Sequence, residues 1–233
     1  MERLTAKIVI NGKILVKTGL HIGGSKTTLD IGGVDLNVVK TPHGVPFIPG
    51  SSLKGKMRSL LARKEGSLAV KNDSNEIIRI FGYPADKEKG GNITRLIVRD
   101  AFLDTDHFKN DFTGVDEMDF DFSETKWENV INRKTGTAEH PRQIERVPAD
   151  AMFRFEMVYD VYDNDYHNDL EMIIEAMTLL SDDYLGGQGS RGYGKIEFRE
   201  VKFEKRTVEE YYSKPEKERK AELLEEYALK FPD

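Results

Sequence analysis

Two stretches of strict alternation constrain this chain more than any other feature. In AKIVINGKILVKTG, Ala6, Ile8, Ile10, Ile14 and Val16 fall on one face, with Lys7, Asn11, Lys13 and Lys17 on the other. In AMFRFEMVYDV, Ala151, Phe153, Phe155, Met157, Tyr159 and Val161 take the inward positions. A period of two with one apolar face is the pattern of a strand laid on a core. Two further stretches are β-prone. ITRLIVRDAFL, 93–103, is mostly apolar, as a central strand is, and GKIEFREVKFE places Ile196, Phe198, Val201 and Phe203 on one side.

Between them the period changes. GSSLKGKMRSLLARK spaces Leu53, Met57, Leu60 and Leu61 as a helix does, with Ser51 or Ser52 available to cap its start. DLEMIIEAMTLL does the same through Leu170, Ile173, Ile174, Met177 and Leu180, and NEIIRIFGY reads as a short helix closed by Gly82. The order is β-α-β-β-α-β, which predicts an α+β fold with a ferredoxin-like (RRM-like) core. Residues 1–206 form one domain in this reading. It carries two insertions, a long loop at about 19–49 and a stretch at 104–147 ending in a hairpin around Thr135-Gly136. Residues 207–233 read as a charged tail, helical after Pro215.

The chain has no cysteine, which excludes disulfides and Cys-based metal sites. No charged-then-apolar leader opens it, and its longest apolar stretch, MIIEAMTLL, contains Glu175. A cytoplasmic protein without a membrane span is therefore expected. The net charge of −6 conceals a split. Residues 1–64 carry eleven Lys/Arg against three acids, so the remainder carries the whole negative excess. A second basic island, NRKTGTAEHPRQIERV, lies between two acidic stretches. Such asymmetry fits one face for a polyanion and another that is acidic.

GGQGSRGYGK, 186–195, packs five glycines into ten residues, and Gly187, Gly189 and Gly192 spell G-x-G-x-x-G. A dinucleotide fingerprint requires strand, glycine turn, then helix. Here the order is helix, loop, strand, which argues against a nucleotide-binding enzyme. The loop can instead bring backbone close to a sugar–phosphate chain, with Ser190, Arg191, Tyr193 and Lys195 supplying hydrogen bonds, charge and a ring.

Six stretches in order, GLHIGG (19–24), IGGVD (31–35), PFIPGSSLKGKMRSLLA (46–62), RDAFL (99–103), HPRQIER (140–146) and DYLGGQGSRGYGK (183–195), resemble the RAMP superfamily. The resemblance runs from about residue 6 to 204. It is closest to the backbone subunits of type III-A CRISPR effectors, the Csm complexes. It implies an endoribonuclease that binds a CRISPR RNA (crRNA), cuts complementary target RNA at regular intervals and requires Mg2+ or Mn2+. It also implies other Csm-complex subunits as partners and self-association into a helical filament. Sequence would then be read by guide–target pairing and shape by the protein.

On this resemblance Asp35 is the catalytic residue, as metal ligand or as the group that orients a 2′-hydroxyl. The pair after it, Leu36-Asn37, departs from the Ser-Pro common in the family. Asp30 is an acid of the same chemistry without motif support. His21 is expected to contact RNA. Ser51, Ser52, Lys54 and Arg58 form an anion site at a helix start, where free N–H groups and the dipole favour guide phosphate. Arg133 and Arg142, with Arg146, suit phosphate on a thumb hairpin whose apolar wedge is Val130 or Ile131. Gly187, Gly189, Ser190 and Arg191 complete the expected RNA contacts. Trp127, the single tryptophan, is either a base-stacking ring or hairpin packing. Asp100 reads as structural, and Glu124 and Glu139 as weaker catalytic candidates. Two readings compete with a guided nuclease: a crRNA-binding scaffold without cleavage, and a lone guide-processing endonuclease. Asp35 separates the first of these, because a scaffold has no use for an acid facing phosphate.

Overall fold

The computed structural model describes residues 3–24, 35–83, 93–112, 121–162, 166–215 and 220–231. Asp30 and residues 31–34 of the IGGVD stretch lie outside them. In chain order the elements are β1 (Leu4–Val16), β2 (Phe47–Ile48), α1 (Gly50–Lys64), α2 (Asn75–Phe81), β3 (Leu96–Val98), β4 (Ala101–Leu103) and α3 (Thr105–Asp111). There follow β5 (Glu124–Ile131), β6 (Ala138–Arg146), β7 (Met152–Tyr162), α4 (His167–Asp182), β8 (Ile196–Thr207), α5 (Val208–Ser213), β9 (Glu222–Leu223) and α6 (Glu225–Ala228).

The main sheet runs β2-β4-β7-β1-β8-β9, with β3 also on β7, and every pairing is antiparallel. The two alternating strands are its centre, in register as Ile8↔Tyr159, Ile10↔Met157 and Ile14↔Phe153. β8 lies on the other side of β1, and β3/β4 on the other side of β7, which is the ferredoxin-like strand order. α1 and α4 cover one face, burying Leu53, Met57, Leu60 and Leu61 with Leu170, Ile173, Ile174, Met177 and Leu180 against Ile8, Ile10 and Ile14. Each such side chain contributes about 1.5–3 kcal/mol. Met57 has no exposure, and truncating it to Ala would cost about 2–5 kcal/mol through the cavity left behind.

The opposite face is mostly charge-paired, with one aromatic pair toward its edge: Phe102, 54% exposed and across from Arg154, stacks on Phe47 at 6.0 Å. β1 presents Lys7, Val9, Asn11 and Lys13 there, and ion pairs cross it: Lys7–Asp160, Lys13–Glu200 at 2.7 Å and, toward the edge, Arg99–Glu156 at 2.6 Å. An RRM binds RNA by stacking bases on sheet aromatics. Here the central strands of the face are charge-paired, and the aromatics among the residues named in these pairings are confined to Phe102 and Phe47 near the β2/β4 edge.

Four sequence expectations change. The strand expected over 93–103 is broken at Arg99-Asp100, where the register with β7 moves from Val98↔Met157 to Phe102↔Arg154. The break turns the Asp100 carboxylate onto the Gly50 N–H at 2.8 Å. Asp100, rather than Ser51 or Ser52, therefore meets the start of α1, whose N-cap is Pro49 without a side-chain bond. A helix over 105–111 also escapes the periodicity. It is set by Asp104, which accepts from the His107 N–H and from Arg154 at 2.7 Å. The tail, expected to be helical, consists in its described part of α5, β9 and α6. Leu224 and Tyr227 are buried with Phe231 packed beside them, because these three apolar residues dock on β8 despite the charge around them.

The hairpin falls where Thr135-Gly136 puts it. β5 and β6 pair in a separate two-stranded sheet, and Gly136 takes φ +71° at the turn.

Candidate functional site

The glycine loop closes against GLHIGG rather than standing open. Gly187 N–H donates to the His21 carbonyl at 2.8 Å, and Gly194 N–H to the Gly19 carbonyl at 3.0 Å. Gly186 has φ +79°, and a Cβ there would lie 2.2 Å from the His21 carbonyl oxygen; at Gly194, φ is +75° and the Leu185 carbonyl would be 2.1 Å away. Only glycine fits either place. The close backbone approach expected for a ligand is thus met by the chain itself at these two positions. Gly189 opens a single 3-10 turn, Gly189–Arg191, and lies over the Tyr184 ring. Ser190 and Arg191 are exposed on that turn. Arg191 pairs with Glu128 of the hairpin at 3.2 Å and bonds Gln188.

Tyr193, expected to offer a ring to RNA, is buried at 1% exposure beneath this turn. Lys126 and Arg146 of the hairpin stand 4.7 and 5.2 Å from its ring centroid. Burial, with Glu128 beside it, pushes its hydroxyl up to about 12. The ring is therefore a neutral pivot between loop and hairpin.

His21 is buried too, its Nδ1 2.7 Å from the Glu145 carbonyl oxygen. Because a carbonyl oxygen only accepts, Nδ1 is the donor of that bond. RNA contact is left with the edge of the ring, and the main role seen is to tie residues 19–22 to the hairpin base.

Glu145, which sequence reasoning passed over inside HPRQIER, organises the site. The residue is 1% exposed. It accepts from the Val38 N–H at 3.0 Å, from Ser123 Oγ, and from Lys40 Nζ at 2.5 Å. Its backbone N–H donates to the Leu36 carbonyl at 2.9 Å. A single residue thus clamps residues 36–40 to the hairpin base. The available signal was an acid following Ile144 on a strand, with bases on both sides.

The clamp puts Asp35 at the exposed edge of β6. Its Oδ2 accepts from the Gln143 N–H at 2.8 Å, and Leu36 pairs with Ile144 in a parallel bridge. Asp35 Oδ2 stands in for the next carbonyl of a strand. Its Oδ1 has no hydrogen-bond partner among the described residues, and the residue is exposed. No group of three His, Asp or Glu that could hold a metal ion occurs among the described residues. The protein offers one free carboxylate oxygen here. That donor set fits Mg2+, which is held through one or two carboxylates together with substrate phosphates and water.

Lys54 and Arg58 do not form the expected phosphate face. Lys54 Nζ donates to Thr94 Oγ1 at 2.8 Å and to the Leu96 carbonyl at 2.7 Å; burial first, then Arg58, lower its pKa. Arg58 pairs with Asp73 at 2.7 Å and donates to the Gly82 carbonyl at 2.9 Å. Their shared helix face packs on α2 and β3, so both charges are used internally. Ser51 is exposed and Ser52 half-buried beside the Asp100 cap.

On the hairpin, Arg133 is exposed and Arg142 half-buried, and neither has an ion pair among the described residues. Val130 and Ile131 are 49% and 59% exposed, as wedge positions require. Of the weaker acids, Glu124 pairs with Arg146 at 2.8 Å and Glu139 accepts from Asn132 at 2.7 Å. Trp127 is 59% exposed, so it is not hairpin packing.

Comparisons with known proteins follow the same outline. A family model described as the RAMP superfamily matches residues 13–197. The chain is 44% identical over 215 residues to "CRISPR system Cms endoribonuclease Csm3" of Methanocaldococcus jannaschii, covering 87% of this chain and 83% of that one. It is 46% identical to the protein of the same name from Enterococcus italicus over 83% of this chain and 90% of that one. A crystal structure of a Csm3–Csm4 subcomplex of the type III-A CRISPR-Cas interference complex contains a chain 33% identical, with a TM-score of 0.60. The match covers 95% of this chain and 90% of that one.

Proposed function

The chain belongs to the RAMP superfamily, and from that premise we propose that it is the crRNA-binding, target-cleaving subunit of a type III-A CRISPR interference complex. Its relatives carry the name CRISPR endoribonuclease over most of their length. The observation that carries the reading is Asp35, held by the Gln143 N–H through one oxygen and without a partner at the other among the described residues.

Complementary RNA, paired with crRNA, lies along the face made by the glycine-loop turn, the 35–40 segment and the hairpin. Ser190 and Arg191 on the turn, and Arg133 and Arg142 on the hairpin, meet phosphate. Asp35 Oδ1 faces the scissile linkage. There it meets a 2′-hydroxyl, and the fixed Gln143 bond keeps that oxygen directed outward. A divalent ion, Mg2+ or Mn2+, held by Asp35 and substrate phosphate would neutralise charge developing on the phosphate. Val130 and Ile131 wedge into the duplex and space the cuts. Repetition of the subunit along the guide as a helical filament, beside other Csm subunits, gives one cut per copy.

The test is cleavage of labelled RNA by the chain assembled with crRNA and its partner subunits. Complementary RNA should be cut at even intervals in Mg2+, and non-complementary RNA left whole. Tight complementary binding without cuts would leave a scaffold.

A further inference from the structure

The hairpin has one occupied face and one open face. Lys126 and Glu128 reach Tyr193 and Arg191, so alternation along β5 sends Trp127, Asn129 and Ile131 to the other side. That side is open beyond Thr125, whose cross-strand partner is the buried Glu145. Trp127 and Ile131 are each 59% exposed there, about 13 Å apart at strand rise. An indole carries one of the largest apolar payloads of any side chain, and this one has no aromatic neighbour among the described residues. Its cross-strand partner in the register is Gln143. The Gln143 N–H is the group that holds Asp35. Trp127 therefore stands two strand positions across the ribbon from the free carboxylate oxygen.

Charge decides what covers this ring. Toward the turn of the hairpin, Arg133 and Lys134 carry no ion pair among the described residues, while Arg142 lies across from Glu128 on the occupied face and Glu139 accepts from Asn132. An exposed aromatic ring on a hairpin whose turn carries uncompensated cations is suited to an unstacked nucleobase, with the strand's phosphates running on toward those cations. We propose that Trp127 stacks on a base of the target strand and so seats the adjoining phosphate at Asp35. The proposal rests on the reading of Asp35 given above. It assigns the ring a place beside the cut, apart from the wedge at Val130 and Ile131.

Trp127 is the single tryptophan, so its emission reports the contact without any cleavage. The crRNA-loaded Asp35→Ala chain, titrated with complementary RNA, should show a saturable quench that non-complementary RNA does not produce. In the chain with Asp35 intact, Trp127→Ala should lower the rate at saturating target about tenfold, because the phosphate is no longer seated at Asp35. Trp127→Phe should restore most of it, and target affinity, set by pairing, should change by no more than about threefold. An unchanged emission on target binding would overturn the proposal. So would a quench that grows with protein concentration in the absence of RNA, which would mean that a second copy covers the ring. A quench with persistent cleavage by Asp35→Ala would keep the stack and remove the catalytic reading of Asp35.

Discussion

The backbone N–H of Gln143 donates to Oδ2 of Asp35 across 2.8 Å, so a strand edge rather than a side chain aims the Asp35 carboxylate. Because the donor is main chain, the Gln143 side chain is dispensable for this bond. Gln143→Ala is expected to cleave target within about twofold of wild type, since a side chain outside such a contact is usually worth a few tenths of a kcal/mol. Single-turnover cleavage on the assembled complex checks this.

Glu145 is different, because its buried carboxylate answers Lys40, Ser123 and the Val38 N–H together. Glu145→Ala removes one partner of a buried pair and leaves donors unsatisfied, at a cost of about 3 kcal/mol or more. The melting temperature should fall by roughly 6–12 °C for a domain of this size. A loss below about 2 °C would show that the clamp is not formed.

The four cations that the sequence assigns to RNA should divide by salt dependence. Arg133→Ala and Arg142→Ala each remove an uncompensated charge, so each should lower the slope of log affinity against log salt by about 0.7–0.9. Lys54→Ala and Arg58→Ala, whose charges are bound to Thr94, Leu96, Gly82 and Asp73, should leave that slope unchanged and reduce stability instead. Binding titrations at several salt concentrations separate the two pairs.

Acid should weaken the fold through Asp104. The Arg154 hydrogen bond holds its carboxyl below the usual carboxylate range, with the His107 N–H adding to it. A depressed native pKa contributes stability above the unfolded value of 3.8, and that stability is lost as pH falls through the native value. Urea unfolding should therefore show a gap between wild type and Arg154→Met at pH 6 that closes toward pH 3. An unchanged gap would place the stabilisation elsewhere.

Much of this was legible beforehand because it rests on local pattern. Alternation in β1 and β7 and helical spacing in α1 and α4 name the core, and the order of elements gives the sheet topology. What escaped depends on contacts distant in sequence. Asp100 displaces the serines as partner of the α1 start because a break in an edge strand turns its carboxylate to Gly50, 50 residues away. Lys54 and Arg58 look free on a helical wheel, but α2 and β3 cover them. Tyr193 reads as a ring for bases until the hairpin folds over it. Glu145 reads as one acid among 41, and only the fold brings it to Lys40 and Leu36. Asp35 came from family likeness, not from spacing, since a lone carboxylate carries no local signal.

The most direct test of the account compares wild type with Asp35→Ala in the assembled complex, measuring target cleavage in Mg2+ and target binding in parallel. The account predicts evenly spaced cuts from wild type and none from the variant, at equal affinity for the complementary RNA. Cuts of undiminished rate from Asp35→Ala would contradict it.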